Sequence, residues 1–172
     1  MNCLTVRVHG GYPVNILKKT MILQSPIGSL EILSDGVMIT RIAFAGKKTM
    51  KQPKEEEKHL KILMKELAEY FAGKCTTFSV SLQPEGTPFQ TSVWRAIGTI
   101  PYGKTATYAD IAKKIGKPKD VRAVGTVCGK NPMILVIPCH RVIASSGGLG
   151  GYLGGIEKKK LLLRLEHRKN LA

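Results

Sequence analysis

The sequence predicts an α+β protein with two domains: a small antiparallel sheet with one helix, then a mostly helical domain that contains a helix-turn-helix. Three observations support this prediction. Short β-rich runs separated by turn signals come first, apolar residues at helical spacing follow, and two short helices later meet at a Gly-containing turn. Residues 83–88, with two prolines and a glycine, form a linker between the halves. We therefore expect an N-terminal extension over 1–19, a first domain over 20–85 and a second over 86–172.

The first domain opens with a predicted three-stranded meander. Two β-rich runs from Thr20 onward flank the turn residues 25–28, and a third run covers 37–44. After a charged stretch over 47–58, a helix that ends at Gly73 is indicated by the spacing of Leu60, Leu63, Met64, Leu67 and Phe71. Residues 78–82 predict one more short strand.

The second domain begins with an amphipathic helix over 88–97, and we expect its tryptophan, Trp94, to lie in the core. An approximate capping box at Thr107 opens the next helix, and Gly116 is well placed to end it. A further helix covers 120–129, with an acidic first residue that suits the helix dipole. These two short helices and their tight connection predict a helix-turn-helix.

Basic residues are concentrated in the second domain. The formal net charge is +15, and residues 87–172 hold 15 basic against 4 acidic residues while residues 1–86 hold 12 against 8. This charge suits a polyanion such as nucleic acid, although charge alone is also compatible with a solvated surface or an acidic membrane. Around the helix-turn-helix, the basic side chains that would complement phosphates are Lys113, Lys114, Lys117, Lys119, Arg122 and Lys130.

Small residues are frequent in the second helix of the pair, where Ala123, Gly125 and Thr126 closely follow Arg122. A glycine in a helix interior costs about 1 kcal/mol relative to alanine. We therefore expect this helix to approach another surface closely. That surface is either a second helix or a DNA groove, and the sequence leaves both open.

The segment 131–141 presents a cysteine and a histidine together at the end of an apolar run. Residues 133–137 are too apolar to alternate, so they predict a buried strand, which Pro138 would stop just before Cys139. A working thiol needs a base or a positive field beside it, and His140 and Arg141 are the candidates. Adjacent residues on an extended backbone point in opposite directions, so a bridging water or a sharp turn would have to connect Cys139 to His140. The alternative is a buried structural cysteine beside a surface histidine.

Several classes of protein are disfavoured. No apolar run approaches the length of a membrane span, and the first residues lack a secretory pattern, so we expect neither a membrane partner nor export. The four cysteines are widely spaced and predict neither a disulfide framework nor a zinc site. We expect an intracellular protein with no cofactor and no catalytic metal.

The motifs PYGKTATYADIA, RAVG, NP, IPCHRVI and GYLGG occur in this order between residues 101 and 155. Together with SPIGSL and LAEYFAGK in the first half, they resemble the O6-alkylguanine-DNA alkyltransferases, also called methylated-DNA-protein-cysteine methyltransferases. The resemblance implies an RNase H-like first domain and a winged-helix second domain that carries the active site. It also implies direct-reversal repair: an O6-alkylguanine, chiefly O6-methylguanine, is flipped from double-stranded DNA, and its alkyl group passes irreversibly to Cys139 in a single turnover. Whether O4-methylthymine is also a substrate is left open.

The resemblance assigns catalytic roles to matching positions. Glu166 would orient His140, and His140 would deprotonate Cys139 through a bridging water. Tyr108 would hydrogen-bond guanine N3 and assist departure of the base as a general acid. Asn131 would tie the recognition helix to the active-site strand.

DNA contacts are implied in the same way. Arg122 would enter the base stack, while Ala123 and Gly125 let the helix approach the minor groove, where sequence is poorly read. With Cys139, the base pocket would be lined by Val142, Tyr152 and Leu153. Arg141 would make structural ion pairs. Three positions depart from common family residues and bear on the range of alkyl groups accepted: Cys128, Ile134 and Leu153.

Three other functions compete with alkyl transfer. A non-catalytic lesion sensor of the same fold would bind damaged DNA without reacting, but such proteins lack the reactive cysteine. A cysteine hydrolase would turn over, and a helix-turn-helix regulator would dimerise on one DNA sequence. We expect a monomer associated with DNA, nuclear in a eukaryote and cytoplasmic in a prokaryote.

Overall fold

The computed structural model of the protein describes residues 19–46 and 58–167. The chain divides into two compact units, Met1–Glu85 and Gly86–Ala172. The expected extension before Lys19 and most of the charged stretch, residues 47–57, lie outside the described residues.

The first unit contains a three-stranded antiparallel sheet, so the predicted meander is confirmed. Its strands are β1 (Lys19–Leu23), β2 (Leu30–Ser34) and β3 (Ile39–Phe44), in the order β1-β2-β3. Every second residue of β2 is buried, beginning with Leu30, because side chains on a strand alternate between faces. The β1–β2 turn includes Gly28 at φ 106°, a conformation that glycine adopts without steric cost.

Helix α1 (Lys58–Phe71) supplies the rest of this unit's core. Its buried residues, Leu60, Leu63, Leu67 and Tyr70, recur every three or four positions. The strand predicted at 78–82 is wrong, since Leu82 makes only an isolated bridge to β3, at Ile39. The backbone N–H of Ser79 donates instead to Glu66 Oε1 at 3.0 Å, which takes that donor away from any sheet.

Over its described residues, 86–167, the second unit contains four α-helices: α2 (Pro88–Gly98), α3 (Tyr108–Lys114), α4 (Val121–Cys128) and α5 (Ile156–His167). Two short parallel strands, β4 (Ala106–Thr107) and β5 (Val142–Ile143), connect distant parts of this unit. Within the described ranges, no helix has the length and apolar character needed to cross a membrane.

The single tryptophan joins two of these helices. Trp94, in α2, is 3% exposed, and its Nε1 donates to the carbonyl of Val127 in α4 at 3.3 Å. The prediction that Trp94 belongs to the core is confirmed.

The helix-turn-helix is formed by α3 and α4, which pack against each other. The predicted capping box is present, because the Thr107 hydroxyl accepts from Asp110 N and the Asp110 carboxylate accepts from Thr107 N. Gly116 ends α3 at φ 72°, and its N–H donates to the Lys113 carbonyl while Lys117 N donates to Ala112 O at 2.9 Å. This pair of hydrogen bonds is a Schellman motif, which requires a left-handed residue and so favours glycine. Asp120 precedes α4, but its side chain makes no capping hydrogen bond to the described N–H groups of that helix.

The strand predicted over 133–137 is wrong. This segment is a buried turn in which Ile137 N donates to Met133 O at 2.8 Å and Leu135 adopts φ 72°. Cys139 therefore begins a short 3₁₀ helix, Cys139–Arg141, and does not lie at the end of a strand. An apolar run buried on all sides carries no periodicity, so the pattern alone could not distinguish a strand from a compact turn.

Candidate active site

Cys139 lies in the interior of the second unit and is 4% exposed. It begins the 3₁₀ helix, and its backbone N–H donates to the Ile137 carbonyl at 2.8 Å. The tight 3₁₀ turn changes the direction of the chain directly at the thiol. Cys139 and His140 therefore do not lie on an extended backbone, the geometry that would point their side chains in opposite directions.

Asn131 holds the segment that carries the thiol. Its Nδ2 donates to Ile137 O at 2.7 Å and to Cys139 Sγ at 3.1 Å, and its Oδ1 accepts from Met133 N at 2.9 Å. One amide thus satisfies two backbone groups of the buried turn and also contacts the sulfur. Because Asn131 closely follows α4, it connects the helix-turn-helix to the thiol.

Glu166 lies at the centre of a buried polar cluster. Its Oε1 is 2.7 Å from His140 Nε2, and its two oxygens accept from Arg141 Nε at 2.9 Å and Nη2 at 3.0 Å. The N–H of Gly103 donates to Oε2 at 3.1 Å, and Arg141 Nη1 donates to the Ile100 carbonyl at 2.7 Å. The predicted ion pairing of Arg141 is confirmed, and the fork-to-carboxylate geometry is the strongest form of that pair.

Burial and charge act in opposite directions on this cluster. Burial alone would raise the pKa of Glu166, but its hydrogen bonds and charge interactions with His140 and Arg141 lower it to about 2. Burial lowers the pKa of His140 below its usual 6.5, so the imidazole is neutral at pH 7. Since an ionised carboxylate only accepts, the proton of the neutral ring lies on Nε2, and Nδ1 is its basic nitrogen.

The thiol itself is protonated in the resting protein. Burial raises the pKa of Cys139, while the Asn131 hydrogen bond to the sulfur and the nearby charge of Lys159 lower it in part. A thiolate would therefore form only when a base takes the proton.

Tyr108 is the first residue of α3 and faces this interior. Burial raises the pKa of its phenol, and interaction with the Cys128 and Cys139 thiols raises that pKa further. Gly125 of α4 packs against the Tyr108 ring, because a Cβ there would lie 3.9 Å from two ring carbons. This is an ordinary van der Waals distance, so an alanine would fit here and the contact with Tyr108 does not by itself require glycine.

Lys159 is a site residue that the sequence patterns do not identify. Its side chain is fully buried, although it belongs to a run of three consecutive lysines, residues 158–160. The signal is present in the spacing, because Lys159 shares one helical stripe with Leu162, Leu163 and Glu166, all of which are buried. Two of its neighbours in that stripe are apolar, which indicates an inward position.

The remaining candidate residues differ in exposure. Val142 is buried in β5, and the Tyr152 ring packs edge-on near His140 with centroids 6.5 Å apart, whereas the Leu153 side chain is 49% exposed. The predicted DNA-binding residues that are exposed on and beside the helix-turn-helix are Lys119, Arg122, Ala123, Thr126 and Lys130, and the neighbouring Lys113, Lys114 and Lys117 are exposed as well. Across residues 19–46 and 58–167, no group of three or more His, Cys, Asp and Glu residues is arranged to hold a metal ion.

The fold and the site together define a two-unit protein with a buried thiol beside a helix-turn-helix. Residues 88–168 match the family model of the 6-O-methylguanine DNA methyltransferase DNA binding domain, and residues 17–84 match that of its ribonuclease-like domain. The chain belongs to this family. The resemblance and the fold class given by the sequence are confirmed.

Individual relatives agree with this membership. The chain is 45% identical over 149 residues to the methylated-DNA–protein-cysteine methyltransferase of Methanosarcina acetivorans, covering 84% of this chain and 96% of that relative. It is 43% identical over 147 residues to the protein of the same name from Haemophilus influenzae, covering 83% and 82%. Its fold is similar to that of Mycobacterium tuberculosis OGT in complex with DNA, with a TM-score of 0.78 and 41% identity over 86% of this chain and 92% of that one. It is also similar to M. tuberculosis O6-methylguanine methyltransferase, with a TM-score of 0.80 and 39% identity over 88% and 94%.

Proposed function

We propose that this protein repairs alkylated DNA by direct reversal, transferring the alkyl group of O6-methylguanine irreversibly to Cys139. The observation that carries the proposal is a buried thiol held by Asn131 beside a neutral histidine that is itself bonded to a buried carboxylate. This arrangement lies in the unit that matches the family's DNA-binding domain. An alkylated base would have to leave the base stack to reach such a thiol.

The chemistry begins with proton transfer from Cys139 to His140. Glu166 holds the imidazole with its proton on Nε2, and Nδ1 takes the thiol proton through a bridging water. The sulfur then attacks the methyl carbon as the bond from that carbon to O6 breaks. Tyr108 donates a proton to guanine N3, so that the base departs as a neutral leaving group. The product is a thioether, so each molecule reacts once.

DNA would be held through the exposed face of the helix-turn-helix. Lys119 and Lys130 would pair with phosphates, and Ala123 and Thr126 are small enough to let α4 approach the minor groove. Arg122, exposed near the start of α4, would fill the space that the flipped base leaves. Val142, Tyr152 and Leu153 would line the base pocket, and the protein would act as a monomer.

The test is the intact mass of the protein after mixing with duplex DNA that contains one O6-methylguanine. We expect one added methyl group per molecule, mapped to Cys139 and absent from Cys139→Ala. The matched control is Cys128→Ala, which removes the other buried thiol of this unit and should leave the methyl gain intact.

Two outcomes would contradict the proposal. Lesion-selective binding with no mass gain would indicate a sensor, and release of methyl groups beyond one per protein would indicate a hydrolase. The same assay with O4-methylthymine tests the breadth of substrates, and competition by a minor-groove-binding drug tests the proposed groove.

A further inference from the structure

The turn that precedes β4 contacts both members of the buried ion pair between Arg141 and Glu166. The carbonyl of Ile100 accepts from Arg141 Nη1 at 2.7 Å, and the N–H of Gly103 donates to Glu166 Oε2 at 3.1 Å. Gly103 has a φ of 70°, a left-handed conformation that favours glycine. One short turn thus bonds to both partners of the pair, and Tyr102 lies between the two bonding residues in the chain.

The ring of Tyr102 packs against the guanidinium group of Arg141. The Cζ atom of Arg141 lies over this ring, 5.7 Å from its centroid, within the range of about 6 Å for a cation–π interaction. A guanidinium group donates its hydrogen bonds in its own plane, so its faces are suited to aromatic neighbours. Because the Arg141 side chain is only 7% exposed, water weakens this interaction little. The ring therefore restrains the group that donates two hydrogen bonds to Glu166.

The hydroxyl of Tyr102 contacts the end of α5. It donates to the carbonyl of Leu165, directly before Glu166, at 3.4 Å, which is a long hydrogen bond. Burial raises the pKa of this phenol, Glu166 raises it further and Arg141 opposes them in part, so the hydroxyl is protonated at pH 7 and can donate. Tyr102 thus contacts Arg141 with its ring and the backbone beside Glu166 with its hydroxyl.

The position of Glu166 decides which nitrogen of His140 is basic. Glu166 Oε1 is 2.7 Å from His140 Nε2, and the carboxylate keeps the ring proton on that nitrogen. Nδ1 is then the atom that receives the thiol proton in the proposed reaction. If the fork between Arg141 and Glu166 loosens, the carboxylate no longer has a fixed direction, and the ring proton can lie on Nδ1 instead. A proton on Nδ1 leaves no acceptor there for the thiol proton.

We propose that Tyr102 is a positioning residue for alkyl transfer, which holds the Arg141–Glu166 pair in the geometry that keeps the imidazole of the site in its productive tautomer. This inference rests on the proposed function. Tyr102 acts through the ion pair and not on the alkyl group, so its loss should affect the rate of transfer more than the binding of DNA.

The test compares Tyr102→Leu, which removes the ring and the hydroxyl, with Phe78→Leu, a matched loss of a half-buried ring in the first unit. Single-turnover methyl transfer is measured against the concentration of DNA that contains O6-methylguanine, and folding is checked by circular dichroism. For Tyr102→Leu we expect the maximal transfer rate to fall by roughly tenfold or more, the scale of a misplaced catalytic group, with half-saturation by DNA within about twofold of the parent. Phe78→Leu should react as the parent does.

Two further variants identify the part of Tyr102 that acts. Tyr102→Phe keeps the ring and loses only the long hydrogen bond, so it should recover the transfer rate to within about threefold of the parent. Arg141→Lys keeps a positive charge but has no planar face, so adding Tyr102→Leu to it should slow transfer much less than in the parent. If Tyr102→Leu does not fold, Tyr102→Met, which also lacks a ring, replaces it with the same expectations.

A second readout needs no DNA. In protein with isotopically labelled histidine, the ring-nitrogen chemical shifts of His140 report which nitrogen carries the proton, and its signals are assigned by their loss in His140→Gln. Above pH 7, where this imidazole is neutral, we expect a single tautomer in the parent, with the proton on Nε2. Tyr102→Leu should show a second tautomer with the proton on Nδ1, whereas Tyr102→Phe and Phe78→Leu should keep the parent's shifts.

The proposal is overturned by a folded Tyr102→Leu variant that transfers methyl at the parent rate, and equally by one that is slow but keeps the parent's His140 tautomer. Failure of the proposed function is distinguishable, because the unmodified protein would then take no methyl group from DNA. In that case the His140 shifts alone decide whether Tyr102 orients the imidazole.

Discussion

At the scale of single residues, His140 and Glu166 make stability depend on pH in the same direction. The pKa of His140 lies below the 6.5 of a solvated histidine because of burial, so the unfolded chain binds its proton first and stability falls as pH drops below 6.5. Burial raises the pKa of Glu166, but His140 and Arg141 more than offset this and lower it from 4.5 to about 2. That stabilisation is present above pH 4.5 and is lost as pH falls through about 2.

His140→Gln separates the two contributions. Glutamine can still donate to Glu166 but does not titrate, so we expect a shallower loss of stability just below pH 6.5 than in the parent. The measurement is the free energy of unfolding in urea as a function of pH. Parallel curves for the two proteins would show that His140 is not the source of the slope.

Asn131 links backbone geometry to thiol reactivity. Asn131→Ala removes its bonds to Ile137 O, Met133 N and Cys139 Sγ, and we expect a loss of about 1–3 kcal/mol from the unsatisfied buried groups. Asn131→Asp keeps the acceptor for Met133 but places a negative charge beside the sulfur. We therefore expect slower reaction of Cys139 with iodoacetamide in the Asp variant than in the Ala variant, and the reverse order would contradict this role for the amide.

At the scale of elements, the loop at 144–155 offers a test of shape. Gly150 and Gly147 both have left-handed φ values, 67° and 83°, so alanine strains the backbone at either position. At Gly150 the new Cβ would meet Tyr108, whereas at Gly147 no atom of the described residues outside its chain neighbours lies within 4 Å of a Cβ. We expect Gly150→Ala to reduce methyl transfer by at least about tenfold relative to Gly147→Ala, measured at a temperature where both variants are folded. Its melting temperature should also fall further than that of Gly147→Ala, because the clash with Tyr108 adds to the backbone strain. Equal transfer rates would show that the loop does not position Tyr108.

Elements with a local sequence signature are predictable from the sequence. The meander, the capping box at Thr107 and the Schellman glycine at Gly116 depend on residues within a few positions of one another. The segment 133–137 is not predictable in this way, because its turn is held by the amide of Asn131 and its apolar side chains show no period. The burial of Lys159 is not predictable for a related reason, since the three carbonyls that accept its hydrogen bonds lie 8–17 positions earlier in the chain. The resemblance to the family points to Cys139, His140 and Glu166 as candidate site residues. Composition and spacing alone could not show that His140 and Glu166, which are 26 positions apart, form a hydrogen-bonded pair.

At the scale of the whole molecule, the uneven charge predicts strongly salt-dependent DNA binding. Lys119 and Lys130 are both exposed, and each phosphate contact contributes about −0.9 to the slope of the logarithm of affinity against the logarithm of salt concentration. We expect Lys119→Ala and Lys130→Ala each to reduce that slope by about 1. The control is Lys61→Ala, an exposed lysine of the first unit, which should leave the slope unchanged. Fluorescence anisotropy with a labelled duplex measures all three, and equal slopes would place the phosphate contacts elsewhere.

Trp94, the tryptophan that joins α2 to α4, is an intrinsic fluorescence probe of the protein. Because Trp94 is the only indole in the sequence and belongs to the second unit, selectively excited emission reports the unfolding of that unit alone, while far-ultraviolet dichroism reports both. Two denaturation curves recorded on one unlabelled sample therefore test whether the units melt together, since a single cooperative transition gives coincident curves and separate midpoints exclude it. Trp94 also donates a hydrogen bond to Val127, which belongs to α4 of the helix-turn-helix and stands one residue before Cys128. We therefore expect DNA binding at the helix-turn-helix to shift the emission wavelength of Trp94.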